Sequence, residues 1–229
     1  MHSWLALAKS DVASLGFDVI DSEGAYATPY SFFDTLQKHN PDVVIADGHG
    51  SPDTLTGQGL QEVLRACFNN EVLSGKVMCA VSCLTGQTLG PDSRKKTAQA
   101  YLGFVNEFSW VVSPPYDALN DPVAYSFQQI IRKMVSAACQ YRQQLISLKQ
   151  AYDGILAEFQ KWEAYYSVPP GSQDEYASDI LLSLRHDKTG LITLGEAERY
   201  IQAPTLLEII KPLAPIALGT ILTIATAVF

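Results

Sequence analysis

Apolar residues along the chain alternate between two spacings, one typical of buried strands and one typical of helices. Continuous apolar runs at 41–47 and 76–82 predict strands buried on both faces. The segment 17–21, FDVID, predicts a further short strand. Helical spacing predicts a helix at 3–15, and Thr28 with Pro29 begins another by the N-cap and first-turn proline rules. Strands that alternate with helices predict βαβ units and a mostly parallel sheet.

The rest of the chain continues this alternation. Apolar spacing predicts a helix at 59–70, and the long helical stretch at 125–166 favours two helices, because one uninterrupted helix of that length is uncommon. A further helix, a turn at 187–190 and a strand at 191–194 follow. We therefore expect one α/β domain at 1–200 and a separate apolar segment at 201–229.

A histidine and a cysteine each follow the end of a predicted buried strand. His49 lies just beyond the run 41–47, and Cys83 lies just beyond the run 76–82. In parallel sheets, ligands bind at the carboxyl ends of the strands. If these two strands are neighbours, the two side chains emerge about 5–10 Å apart. The pattern predicts a single site at this edge of the sheet.

This pair of residues suits nucleophilic catalysis. A cysteine attacks carbonyl carbon as its thiolate, and histidine is its usual acid or base partner. Gly48 and Gly50 flank His49 and allow a sharp chain exit, and the turn after Cys83 can present backbone N–H groups to an oxyanion. The tyrosine-phosphatase pattern CxxxxxR, the redox pattern CxxC and the nucleophile elbow GxSxG are all absent around Cys83.

The two strand-end blocks resemble those of the caspase-like cysteine peptidases, most closely the gingipain-type branch. The histidine block is PDVVIADGHGSPDTLTGQ, the cysteine block is VMCAVSCLTGQTLGPDSRKKTAQAYLGF, and LITLGE is similar to the closing segment of that family. The resemblance covers about residues 10–196. It implies a three-layer α/β/α caspase-like (flavodoxin-like), mostly parallel sheet, to which this chain adds a C-terminal apolar helix.

The resemblance also implies roles for individual residues. Cys83 would be the nucleophile, His49 the general acid that protonates the leaving amine, and the backbone N–H groups of Gly50 and Cys83 the oxyanion hole. Asp47 would orient His49 or bind a basic substrate side chain, although a turn role explains it equally well. The implied function is a cysteine endopeptidase that acts on polypeptides without a metal or an organic cofactor.

One departure from the family favours a different function. The family's sheet begins with a central apolar strand before its first helix, whereas this sequence starts inside that helix. We therefore expect the first strand to be missing. The alternative function is a catalytically inactive family member that acts as a membrane-bound structural or adaptor protein.

Composition limits the partners of the protein. Its 229 residues carry a formal net charge of −8, which argues against nucleic acid, because phosphates call for a basic surface. The four cysteines are too few for a disulfide scaffold and lack the paired spacing of zinc sites.

The C-terminal segment 212–229 contains no charged residue. Its length is at the lower limit for a helix that crosses a bilayer. We expect it to anchor the protein in a membrane, with the peptidase domain in the cytoplasm, or else to occupy an apolar groove of a partner. The remaining alternative is that 204–229 folds back onto the α/β domain as its last apolar element.

Overall fold

A computed structural model describes residues 2–113, 120–195 and 199–201. These residues contain the helices α1 (His2–Ser14), α2 (Pro29–His39), α3 (Leu89–Lys95), α4 (Tyr125–Arg142), α5 (Leu148–Ser167) and α6 (Ala177–Gly190). Their strands are β1 (Val43–Asp47), β2 (Thr54–Thr56), β3 (Glu62–Arg65), β4 (Val77–Val81), β5 (Ala100–Phe104), β6 (Leu191–Leu194) and β7 (Arg199–Ile201).

Five of these strands form one mixed sheet. Its order is β1-β4-β5-β6-β7, with β1, β4 and β5 parallel to one another and β6 antiparallel to both of its neighbours. The other two strands, β2 and β3, form an antiparallel hairpin. The prediction of an α/β protein is confirmed; the sheet is mostly parallel but mixed, because β6 runs antiparallel to its neighbours.

The sheet has an apolar core on each face, because successive side chains of a strand point to opposite faces. On β4, Val77, Cys79 and Val81 join one core, and Met78 and Ala80 join the other. The first core is closed by α1, α4, α5 and α6. The second is closed by α2, α3 and the β2–β3 hairpin. Continuous apolar strands are required here because both faces are buried.

Local sequence signals set several element ends. The Thr28 hydroxyl accepts a hydrogen bond from the Ser31 N–H at 3.2 Å, with Pro29 in the first turn of α2, as predicted. Ser147 and Gln150 form a reciprocal capping box that begins α5. That cap divides the long helical stretch into α4 and α5, so the prediction of two helices is confirmed.

Three predicted elements are wrong. Residues 17–21 form no strand, because no strand of the described chain lies beside them to pair with. The predicted helix at 59–70 is instead β3 with short 3-10 turns on either side, since Val63 and Leu64 pack into the second core as part of a hairpin. The predicted turn at 187–190 is the last turn of α6, where Asp187 is buried against the chain that follows β5.

The apolar segment 212–229, including the expected C-terminal helix and membrane anchor, lies outside the described residues. Within 2–113, 120–195 and 199–201, none of the helices is both long enough and apolar enough to cross a bilayer.

Candidate active site

The two predicted strand ends lie side by side. β1 and β4 are parallel neighbours whose last residues, Asp47 and Val81, are register partners. His49 and Cys83 each follow two residues later, at the same edge of the sheet. The backbones also touch, because a Cβ added to Gly50 would lie 2.3 Å from the carbonyl oxygen of Cys83. The structure thus brings the histidine turn and the cysteine turn together.

The histidine turn is held by the hairpin that follows it. The Thr56 N–H donates to the His49 carbonyl oxygen at 2.9 Å, and the Ser51 N–H donates to the Thr54 carbonyl oxygen at 2.9 Å. Glycine is required at position 48, where a Cβ would lie 2.3 Å from the Thr56 carbonyl oxygen. The imidazole of His49 is exposed and forms no hydrogen bond with a described residue. It is therefore accessible to a substrate.

The cysteine turn is attached to the chain that continues from β5. Leu84 has a φ of 63°, which is uncommon for a residue other than glycine. Its N–H donates to the Asn106 carbonyl oxygen at 3.0 Å, and the Gly86 N–H donates to the Phe104 carbonyl oxygen at 2.8 Å. Strained residues of this kind persist only where surrounding contacts hold them, and they cluster at functional sites. These contacts fix the direction in which Cys83 leaves β4.

The Cys83 thiol is half-buried beside acidic groups. Its sulfur lies 4.0 Å from the Phe108 carbonyl oxygen. Burial raises the pKa of the thiol above its ordinary value, a backbone hydrogen bond donated by Phe108 lowers it, and Coulombic interaction with Glu107 and Asp187 raises it further. The net pKa is raised, so the thiol is protonated at neutral pH. Deprotonation therefore requires a base, and His49 is on the adjacent turn.

Residues 106–109, which follow β5 and lie beside Cys83, are hydrogen-bonded to helix α6. Asp187 Oδ1 accepts hydrogen bonds from the Ser109 N–H at 2.9 Å and from the Ser109 hydroxyl at 3.1 Å. His186 Nε2 lies 2.9 Å from the Glu107 carbonyl oxygen, where it can donate its N–H. The Asn106 amide donates to the Thr189 hydroxyl at 3.2 Å. Sequence reasoning missed this contribution because it placed 187–190 in an exposed turn.

Two backbone N–H groups on the adjacent turns have no hydrogen-bond acceptor among the described residues. Neither the Gly50 N–H nor the Cys83 N–H donates a hydrogen bond to another residue within the part of the chain that the structure describes. Buried or half-buried N–H groups usually have a partner. Both groups are therefore free to bind an acceptor other than the described chain.

The other candidate residues have different positions. Asp47 is the last residue of β1 and is half-buried, where it lines a groove beside that strand. Cys79 belongs to the core, and burial raises the pKa of its thiol to about 12. Among the described residues, no cluster of His, Cys, Asp or Glu could hold a metal ion.

The buried carboxyl group of Asp187 makes stability depend on pH. Burial raises its pKa well above the ordinary value, and the two hydrogen bonds from Ser109 offset this only in part. Above about pH 4, where an unfolded aspartate ionises, the folded protein therefore binds more protons than the unfolded chain. Its free energy of unfolding falls as the pH rises, until the folded carboxyl group also ionises.

We expect Asp187→Asn to remove this dependence, because an amide cannot ionise and still accepts from Ser109. The variant should match the natural chain at pH 4 and be more stable at pH 8, by about 1.4 kcal/mol for each pH unit between the folded and unfolded pKa values. Urea unfolding at both pH values measures the difference. Asp153→Asn on the exposed face of α5 is the control and should show no such trend. Equal stability differences at the two pH values would contradict the prediction.

Comparison with known proteins adds no relative. No protein-family model matches this chain, and neither the curated proteins nor the solved structures contain a significant match. The resemblance to caspase-like peptidases therefore depends on the two strand-end blocks and the LITLGE segment of the sequence.

Proposed function

We propose that this protein is a cysteine endopeptidase of caspase-like, gingipain-type fold in which Cys83 and His49 form the catalytic dyad. The observation that carries the proposal is the direct packing of the Gly50 backbone on the Cys83 carbonyl group at the ends of two adjacent parallel strands. The exposed imidazole and the half-buried thiol lie on adjacent turns at one edge of the sheet, and this supports the proposal. The helices and the hairpin on the two faces of the sheet correspond to the outer layers of the proposed fold.

In the proposed first step, the substrate carbonyl oxygen binds to the N–H groups of Gly50 and Cys83. The Cys83 sulfur attacks the carbonyl carbon while its proton passes to His49, forming a tetrahedral oxyanion that the two N–H groups stabilise. The carbon–nitrogen bond then breaks, and His49 returns the proton to the departing amine. A thioester remains on Cys83. Because the pKa of the thiol is raised, the sulfur enters this step carrying its proton, which His49 must accept.

In the second step, water replaces the amine. His49 accepts a proton from water as the oxygen attacks the thioester carbonyl carbon, giving a second oxyanion in the same pair of N–H groups. The carbon–sulfur bond breaks, the carboxylic acid leaves, and His49 returns the proton to the Cys83 sulfur. The dyad is restored and one peptide bond has been hydrolysed.

The surroundings of Cys83 favour a substrate with a basic side chain. The exposed Glu107 places negative charge beside the sulfur, and the chain carries a net charge of −8. Opposite charges attract a substrate to such a site, most strongly at low ionic strength.

The proposal is tested with a fluorogenic peptide library and peptidyl acyloxymethyl ketone probes applied to the full chain. We expect cleavage after Arg or Lys and covalent modification of Cys83 by probes that carry a basic residue. Probes with an acidic residue at the same position serve as the control and should react at least about 100-fold more slowly, since a charge mismatch of about 2.7 kcal/mol corresponds to that ratio. Probe reaction at Cys67 as fast as at Cys83 would count against the proposal.

A second function, that of a catalytically inactive adaptor, is favoured by one observation. The thiol of Cys83 is protonated at neutral pH, and His49 forms no hydrogen bond to it or to another described residue. An adaptor would use the surface of the fold and leave the dyad idle. It would show no cleavage of the peptide library and no preference of the ketone probes for Cys83.

A further inference from the structure

The first strand of the sheet has a sequence suited to the middle of a sheet, yet it lies at the edge. β1 pairs with β4 on one side, and no described strand pairs with its other side. Edge strands are normally protected by charges, prolines or bulges, whereas Val43, Val44, Ile45 and Ala46 are all apolar. Val43 and Ile45 pack against the first core, and Val44 and Ala46 pack against the second. β1 therefore has the composition of a strand with neighbours on both sides.

A groove of about 280 Å³ runs along this open edge. Both cores contribute to it: Val12, Val135 and Cys139 line it on one side, and Leu36, Leu55 and Val63 line it on the other. Folded interiors contain few voids larger than a water molecule. An apolar groove open to both layers suits an extended strand whose two faces are both apolar.

The segment 17–21 forms the far wall of this groove. Its sequence predicts a strand, but its chain is irregular and the side chains of Val19 and Ile20 are 44% and 47% exposed. Ion pairs from Lys9 to Asp21 and Glu23 hold this wall to α1. A strand placed in the groove would have β1 on one side and 17–21 on the other, which explains why 17–21 has the composition of a strand.

We propose that residues 220–229 of this chain occupy the groove as an added strand beside β1. Six of these ten residues, TILTIATAVF, are β-branched, and none is charged. β-branched residues favour strands, and alternation places apolar residues on both faces of this segment. The assignment makes the tail part of the α/β domain and replaces the membrane anchor as the explanation of its apolar sequence. It holds whether or not Cys83 is a nucleophile.

The connection is long enough for this placement. β7 ends at Ile201 at the far edge of the sheet, and the groove lies about five strand spacings away, or roughly 24 Å. The linker 202–219 can span about 60 Å when extended at about 3.3 Å per residue. Either strand direction is within reach. Pro204, Pro212 and Pro215 all fall in the linker, where a missing N–H costs no strand pairing.

Photo-crosslinking in the full-length chain tests the proposal. Phe32 on α2 lines the groove, whereas its neighbour Phe33 does not. We replace each in turn with p-benzoyl-phenylalanine, irradiate the protein, and map crosslinked peptides in the monomer by mass spectrometry. The Phe32 variant should crosslink to 220–229 of the same chain, and the Phe33 variant should not. No crosslink from position 32 to this segment, or crosslinks only between two chains, would overturn the proposal.

Hydrogen exchange supplies a second, independent measurement. The substitution Ile224→Asp places a charge in the proposed strand, and burying it costs several kcal/mol, so the segment should leave the groove. Exchange of the amides at 43–47 should then become at least about 10-fold faster, because a strand edge is exposed to water. Ala214→Asp in the linker is the matched control and should leave exchange unchanged. Equal exchange in the two variants, or a natural chain that carbonate washing does not release from membranes, would overturn the proposal.

Discussion

Replacing Cys83 with alanine is expected to lower peptide hydrolysis by more than about 10⁴-fold, to the background rate, because the thioester cannot form. Replacing His49 with alanine should lower kcat by about 10²–10⁴-fold, since proton transfer to the leaving amine is lost while the thiol remains. Both residues lie on turns at the surface edge of the sheet, so neither change should reduce the free energy of unfolding by more than about 1 kcal/mol. Kinetics with the best library substrate and urea unfolding measure the two effects separately.

The control for this pair is Cys67→Ala. Cys67 is an exposed cysteine whose sulfur lies 3.5 Å from an Asp92 carboxylate oxygen, on the β3 side of the domain. Its removal should leave hydrolysis unchanged. Activity that survives in Cys83→Ala, or that is lost equally in Cys67→Ala, would show that the dyad is not the source of hydrolysis.

The position of the candidate site could be predicted from sequence because it depends on short-range signals. Continuous apolar runs identified β1 and β4, and the rule for parallel sheets placed their carboxyl ends at one edge. His49 and Cys83 follow those ends directly, so no knowledge of distant contacts was needed. The register partners Asp47 and Val81 show that the two strands end at the same level.

The packing of residues 106–109 beside Cys83 could not be predicted, because it depends on contacts between residues far apart in the chain. Asp187 reaches Ser109 across 78 positions, and nothing local to the sequence RHDKTG marks its aspartate as buried. The hairpin of β2 and β3 was missed for a related reason. Val63 and Leu64 have a spacing that a helix and a strand both allow, and packing against the second core selects the strand.

The segment 17–21 illustrates a different limit. Its composition predicts a strand, but a strand requires a partner with free backbone groups. In the described residues it faces the groove and does not pair with β1. The composition of 17–21 therefore shows that the segment can form a strand, and a neighbouring strand with free backbone groups determines whether it forms one.

Gly50→Ala is expected to destabilise the protein and to abolish reaction of Cys83 with a ketone probe. An added Cβ would lie 2.3 Å from both the Cys83 carbonyl oxygen and the Ser82 hydroxyl oxygen, and 2.7 Å from a methyl group of Thr85. The nearest of these atoms belongs to the backbone, so the strain cannot be relieved by rotating one side chain. Overpacking of this kind costs about 1–3 kcal/mol.

The loss of reactivity should exceed what the stability change explains. Relief of the clash requires the histidine turn to move away from the cysteine turn, and a displacement of about 1 Å can cost 10²-fold in rate. Probe labelling of the folded variant, measured well below its urea midpoint, isolates this effect. Gly154→Ala in α5 is the control, because its Cβ would meet only the flexible Lys133 side chain, at 3.1 Å. That change should stabilise the helix by about 0.5–1 kcal/mol and leave labelling unchanged. A Gly50→Ala protein that labels at the natural rate would show that the contact between the two turns does not position the dyad.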